Sequence, residues 1–292
     1  MRNFILRNIV FFTIINTLSY ANSCTMPSSI VPFVIKSGAK NLLNIDDVRR
    51  NYNLLKHMCA TLISFKEGFY NWKMLLVTNP KQEHGLFWFL PHDNENSAFN
   101  SAVYAISRYG GGFLSIVNSN KRYNNGQDPN RNFSYSLNKL QSCKEQRAPS
   151  PIYTKTVFSV IDYYKSAYAP YLALHNNTNN GGISILKKSS KVASYLAYSK
   201  KQILNGKGLQ DQDNLIYMAG LSTTPPSIIN SILHSGISVK YEVVNKYNND
   251  CSMSNFVVLE KGTSNYFNIE AQHGYGSIQK KMIDILVNLI RR

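Results

Sequence analysis

Acidic side chains are scarce in this 292-residue sequence: 16 Asp and Glu stand against 32 Lys and Arg, for a formal net charge of +16. An imbalance of that size implies contact with anionic matter, such as nucleic acid, anionic lipid or a cell-wall polymer. No arginine-rich arm or basic helix concentrates the charge, however. Its densest runs are Lys187-Lys188 with Lys191, Lys200-Lys201 and Lys280-Lys281. Nucleic acid is therefore not an expected partner, and a solvated basic surface is the plainer reading. Cysteine is sparse too. Cys24, Cys59, Cys143 and Cys251 contain no Cys-x-x-Cys clip, which argues against a structural zinc site. Their even number leaves one or two disulfides, with three full pairings open, or free buried thiols. No internal repeat is visible. With 43% hydrophobic residues, the chain has enough apolar surface for a sizeable core.

The N-terminus has the layout of an export signal. Arg2 and Arg7 precede the apolar stretch that begins at Ile9, and the small residues Ser19, Ala21 and Ser23 follow. The stretch falls short of the roughly 20 apolar residues that a membrane span needs, so no stable span is expected. Residues 1–23 are read as a signal peptide and residues 24–292 as the exported domain, periplasmic or secreted. Export makes disulfides permissible.

Along that domain, residues 25–45 look irregular, and apolar residues at helical spacing predict a helix over 45–66. Strands are expected at 74–78, 85–90, 113–117, 168–174, 213–218, 239–244 and 266–269. Helices are expected at 96–109, 153–164, 227–234 and 278–290. This alternation predicts a single α/β domain whose sheet is mixed and mostly parallel, flanked by helices. Ligands of such sheets bind beyond the carboxyl ends of the strands. His92, His175 and Glu270 all fall at such ends.

The chemistry-bearing residues lie in four short stretches. Pro91-His92-Asp93-Asn94-Glu95 follows the apolar run 85–90 and sets a histidine and a glutamate where they can share one ion. Two histidines and a glutamate form a known catalytic zinc set that leaves one position for water, and His175 supplies the third member. In Asp128-Pro129-Asn130-Arg131-Asn132, the arginine fork suits a substrate carboxylate and Asn130 adds a donor. Asp128 could orient a ligand histidine through its second nitrogen. Glu270 could take a proton from water activated by the metal and later pass it to a leaving amine.

In this order, His92-x-x-Glu95, Asp128-x-Asn130-Arg131-Asn132, His175 and Glu270 resemble the zinc carboxypeptidase superfamily, including its succinylglutamate desuccinylase and aspartoacylase branch. The resemblance implies that His92, Glu95 and His175 bind zinc. It also implies that Asn130 and Arg131 clamp a substrate carboxylate and that Glu270 is the general base. Arg122 is the nearest candidate for the arginine that stabilises the oxyanion, although its spacing is short. Tyr247 stands where the family carries a substrate-binding tyrosine. His92-Asp93-Asn94-Glu95 and Leu174-His175-Asn176-Asn177-Thr178 look like the deacylase branch, whereas Asp128 to Phe133 looks like the carboxypeptidase branch. Little chain follows Glu270, so the extra C-terminal domain of the deacylases is expected to be absent.

The reading is an exported zinc-dependent hydrolase that cleaves an amide bond beside a free carboxylate. Its substrate would be a peptide or an acyl-amino acid. The basic charge and export together point to an anionic cell wall as a partner. The alternatives are an N-acyl amino acid deacylase and a non-catalytic peptide- or wall-binding protein on the same fold.

Overall fold

A computed structural model of the chain describes residues 24–30, 34–135, 143 and 145–291. The signal segment read at 1–23 lies outside the described residues. Among the described residues, ten strands form one sheet. They are β1 (Val34–Ser37), β2 (Cys59–Glu67), β3 (Tyr70–Thr78), β4 (Phe87–Leu90), β5 (Gly112–Ile116), β6 (Tyr171–Asn177), β7 (Val192–Tyr195), β8 (Leu215–Gly220), β9 (Ser238–Val243) and β10 (Tyr266–Gln272). Their spatial order is β1-β2-β3-β5-β4-β6-β10-β8-β9-β7. The sheet is mixed, as the alternation of elements predicts. Its centre, β5-β4-β6-β10, is parallel throughout. The β1-β2-β3 meander joins one side antiparallel, and the parallel pair β8-β9 joins β10 antiparallel on the other.

Alternation along the central strands divides the core between two faces. Trp88 and Leu90 of β4 pack with Leu172, Leu174 and Ile269 beneath α3 (Asn96–Tyr109) and α8 (Gly276–Ile290). Phe87 and Phe89 point the other way, towards α4 (Pro151–Tyr164) and α7 (Met253–Glu260). The central strands are thus buried on both sides, which is why they read as continuous apolar runs. His175 continues the face of Ala173, and Glu270 continues that of Tyr266 and Asn268. Both polar groups therefore emerge at the carboxyl end of the sheet, on the side covered by α4 and α7.

The helix expected over 45–66 is not formed as such. Two short helices, α1 (Asp46–Arg50) and α2 (Tyr52–Leu55), occupy its first half, and β2 takes the second half. Apolar residues at helical spacing here also fit a strand buried on both faces. Thr61 and Ile63 are β-branched, and β2 pairs with β1 on one side and β3 on the other. Gly68, at φ +58, closes the β2–β3 hairpin in a backbone conformation that a side chain would disfavour. The segment read as irregular contains β1. The remaining short helices are α5 (Lys200–Leu204) and α6 (Ile228–His234). No helix among the described residues is long and apolar enough to cross a membrane.

Two disulfides resolve the open pairing. Cys24 joins Cys59 across 35 positions, and Cys143 joins Cys251 across 108. Such bonds form and persist in oxidising compartments.

Candidate metal centre

β4 ends at Leu90, and Pro91 carries the chain off the carboxyl end of the sheet. Four residues later Glu95 forms the N-cap of α3, where the amide dipoles of the first turn favour a carboxylate. Its amide donates to the carbonyl of His92 at 3.2 Å, which folds the two side chains together. Nδ1 of His92 lies 2.7 Å from Oε1 of Glu95. From β6, Nδ1 of His175 lies 3.3 Å from Oε2 of the same carboxylate. The two imidazole centroids are 4.9 Å apart. All three residues are buried, and each offers a ligand atom within 4.8 Å of the others.

Ligand atoms held about 2.0–2.2 Å from one zinc ion stand on the order of 3.4 Å apart in a tetrahedron. Two imidazole nitrogens and one carboxylate oxygen, buried and this close together, are a donor set that fits such an ion. The surrounding groups fit it too. Nε2 of His92 lies 2.8 Å from Oδ1 of Asp128, the partner that a ligand histidine needs to expose its other nitrogen. Asp128 is itself fixed as the cap of the 3-10 turn Pro129–Arg131, accepting the amide of Asn130 at 2.8 Å. The amide of Asn176 donates to Oε2 of Glu95 at 2.9 Å. The side chain of Gln279 on α8 donates to the carbonyl of His175 at 2.8 Å.

The electrostatics follow from this packing. Burial opposes ionisation of Glu95, but the imidazoles of His92 and His175 outweigh it and hold the carboxyl below the usual range. Burial likewise works against Asp128, and the hydrogen bond and charge of His92, with the charge of Arg122, prevail. Burial alone would push His92 down, yet Glu95 and Asp128 raise it. A cation among these ligands would replace that proton, so ion uptake and proton release are coupled.

Glu270 of β10 stands beside His175 in the parallel β10–β6 register. Burial is the first influence on it and raises its pKa. The charge of Glu95 adds to the rise, while His175 and Asn268 act against it. Nδ2 of Asn268 donates to Oε1 of Glu270 at 2.8 Å, and Oδ1 of Asn268 is buried without a partner among the described residues.

The other sequence-derived candidates divide. Arg122, still 38% exposed, reaches the cluster with both ends of its guanidinium: one nitrogen lies 3.1 Å from Oε1 of Glu95, the other 3.2 Å from Oδ2 of Asp128. Arg131 lies just beyond, its Nε 3.2 Å from Glu145 and 3.2 Å from Asp250. Oδ1 of Asn130 accepts the amide of Met253 at 3.1 Å, which seats the turn on the start of α7. Tyr247 is not drawn in. It is 86% exposed, and among the described residues its hydrogen bond to Asn245 and the ammonium of Lys246 over its ring keep it within its own turn.

Sequence reasoning missed Asn268, Asp250 and Glu145. Asn268 was within reach of it, because a residue two positions before Glu270 on a strand shares its face. Asp250 and Glu145 meet Arg131 only through the tertiary fold.

No family model and no curated protein matches the sequence. Among solved structures, the chain is similar to three proteins provisionally described as metallopeptidases. One, from Shewanella amazonensis SB2B, is 14% identical over 86% of this chain and 90% of its own, with a TM-score of 0.42. Another, from Shewanella baltica OS155, is 9% identical over 87% and 92%, at 0.44. The third, from Shewanella denitrificans OS217, is 10% identical over 91% and 97%, at 0.43.

Proposed function

We propose that the protein is an exported, zinc-dependent hydrolase of carboxypeptidase type, cleaving an amide bond next to a free carboxylate. The observation that carries this reading is a convergence. His92 and Glu95 from the end of β4 meet His175 of β6 around one buried point, with Asp128 on the far nitrogen of His92 and Glu270 in register beside His175. A bare structural ion-pair cluster would not require a separate buried carboxylate next to the ligands.

In this reading His92, Glu95 and His175 hold the ion. When bound, zinc supplies Lewis acidity, polarising the scissile carbonyl and lowering the pKa of water. Glu270 accepts the proton of the attacking water and returns it to the departing amine. Its burial supports the task, because a carboxylate in a low-dielectric site is a stronger base than one in water. Arg131 receives the terminal carboxylate on the part of its fork not taken by Glu145 and Asp250, with Asn130 beside it. Arg122 faces the charge that develops on the carbonyl oxygen. Fixing the carboxylate and the carbonyl together positions the bond for attack. Export and the excess of basic charge support a substrate drawn from an anionic cell wall.

The test combines metal analysis with turnover. Wild type and Glu270→Gln are expected to hold zinc, whereas Glu95→Ala and His175→Ala lose it. Glu270→Gln should lose about 10²–10⁴-fold in the release of C-terminal amino acids, the usual worth of a general base. Undiminished zinc in both ligand variants would remove the assignment. Assaying N-acyl amino acids beside peptides separates the deacylase alternative. Binding without turnover by zinc-loaded wild type would mark a non-catalytic binding protein.

A further inference from the structure

The loop that carries Arg122 begins with an unfavourable backbone. Ser119 and Asn120 adopt φ values of +52 and +59, in the left-handed region that residues with a Cβ seldom occupy. Something must hold the loop in that shape. Oδ2 of Asp93 accepts the backbone amide of Asn118 at 2.7 Å and that of Asn120 at 2.6 Å. Nδ2 of Asn118 then donates to the carbonyl of Tyr123 at 2.7 Å, closing the loop around Arg122. Asp93 is only 7% exposed, so these are partly buried hydrogen bonds to a carboxylate, strong of their kind. It also lies between His92 and Glu95 in the sequence. One short segment therefore supplies two ligand candidates and anchors the loop whose arginine touches Glu95 and Asp128.

We propose that Asp93 is a positioning residue, a backbone clamp that sets the guanidinium of Arg122 against Glu95 and Asp128. The inference rests on the hydrolase reading for the role of Arg122, but the clamp has a readout of its own. Without the carboxylate, the amides of Asn118 and Asn120 lose their common acceptor and the left-handed turn relaxes. Arg122 then shifts, and displacement of a catalytic group by about an ångström is enough to cost on the order of 100-fold. The ion site keeps its ligands.

Two measurements test the clamp. In amide hydrogen exchange, Asp93→Ala should lose protection at Asn118 and Asn120 while its zinc content matches wild type. Asp93→Asn, which keeps an oxygen acceptor without the charge, should fall between the two and guards against misfolding of the alanine variant. Protection unchanged in both variants overturns the clamp, whether or not any substrate is turned over. In kinetics, Asp93→Ala should lower kcat by about 10–100-fold with KM within about threefold, and should add less than about threefold to Arg122→Ala. An equal loss in both backgrounds would show that Asp93 does not act through Arg122. If wild type hydrolyses nothing while the exchange result holds, the hydrolase reading fails and the clamp stands.

Discussion

Asn268 and Glu270 stand on the same face of β10, and the amide of the first donates to Oε1 of the second at 2.8 Å. A donor aimed at a carboxylate stabilises its ionised form, so Asn268 works against the burial that raises the pKa of Glu270. The sign of its removal follows. In Asn268→Ala the donor is gone, the pKa of Glu270 rises further, and the proposed base is protonated at a higher pH. The acidic limb of kcat/KM should therefore move to higher pH, with a smaller change in the plateau. A pH–rate profile of the two proteins checks this, and an unmoved acidic limb would mean that Glu270 is not the group titrating there. At this scale the candidate ligand cluster was legible in the sequence, because histidine and glutamate at strand ends are few in a chain with 6 His and 16 acidic residues. Tyr247 was the weaker inference, since one tyrosine among 19 carries little positional information.

Between elements, the Cys143–Cys251 bridge ties the segment after the Pro129–Arg131 turn to the approach to α7. The amide of Phe133 donates to the carbonyl of Cys251 at 2.9 Å, and the adjacent Asp250 pairs with Arg131. The disulfide thus bears on stability and on the placing of Arg131, the carboxylate clamp of the proposed hydrolase. Replacing both cysteines by serine should cost about 2–4 kcal/mol of stability, as expected for release of a long loop. It should also raise KM for peptides with a free C-terminus more than it lowers kcat. Thermal melts and steady-state kinetics check the two parts, and an unchanged KM would detach the bridge from substrate binding. Elements with one consistent pattern were readable. The helix read at 96–109 is α3, because Phe99, Val103 and Ile106 form a single stripe between Glu95 and Gly110. The region 45–66 failed for a physical reason: its apolar spacing suited a helix, but hydrogen bonding to two neighbouring strands was decisive for β2, and local sequence does not report that pairing. The disulfide pairing was open in the sequence for a similar reason, as it depends on which segments the sheet brings together.

For the molecule as a whole, several of the few acidic groups are buried, and their pH behaviour has opposite signs. Glu95 and Asp128, held below the usual carboxylate range, add stability above that range that is lost as pH falls. Asp47 and Glu242 behave the other way. Burial is the largest influence on each, raising Asp47 to about 7 and Glu242 to about 6. Asp93 and Asp46 push Asp47 further up, and the ion pair with Arg50 compensates only in part. A carboxyl with a raised folded pKa binds a proton that the unfolded chain has already released. Stability therefore falls as pH climbs from the ordinary carboxylate range towards 7. Asp47→Asn keeps the shape of the side chain and removes this ionisation. Its melting temperature relative to wild type should rise between pH 4 and pH 8, whatever the fixed offset from losing the charge opposite Arg50. A tenfold difference in proton affinity between the folded and unfolded chain corresponds to about 1.4 kcal/mol, so the effect is large enough for calorimetry. A melting difference that stays flat across the range would show that Asp47 is ionised in the folded protein at no cost, with Arg50 fully offsetting its burial.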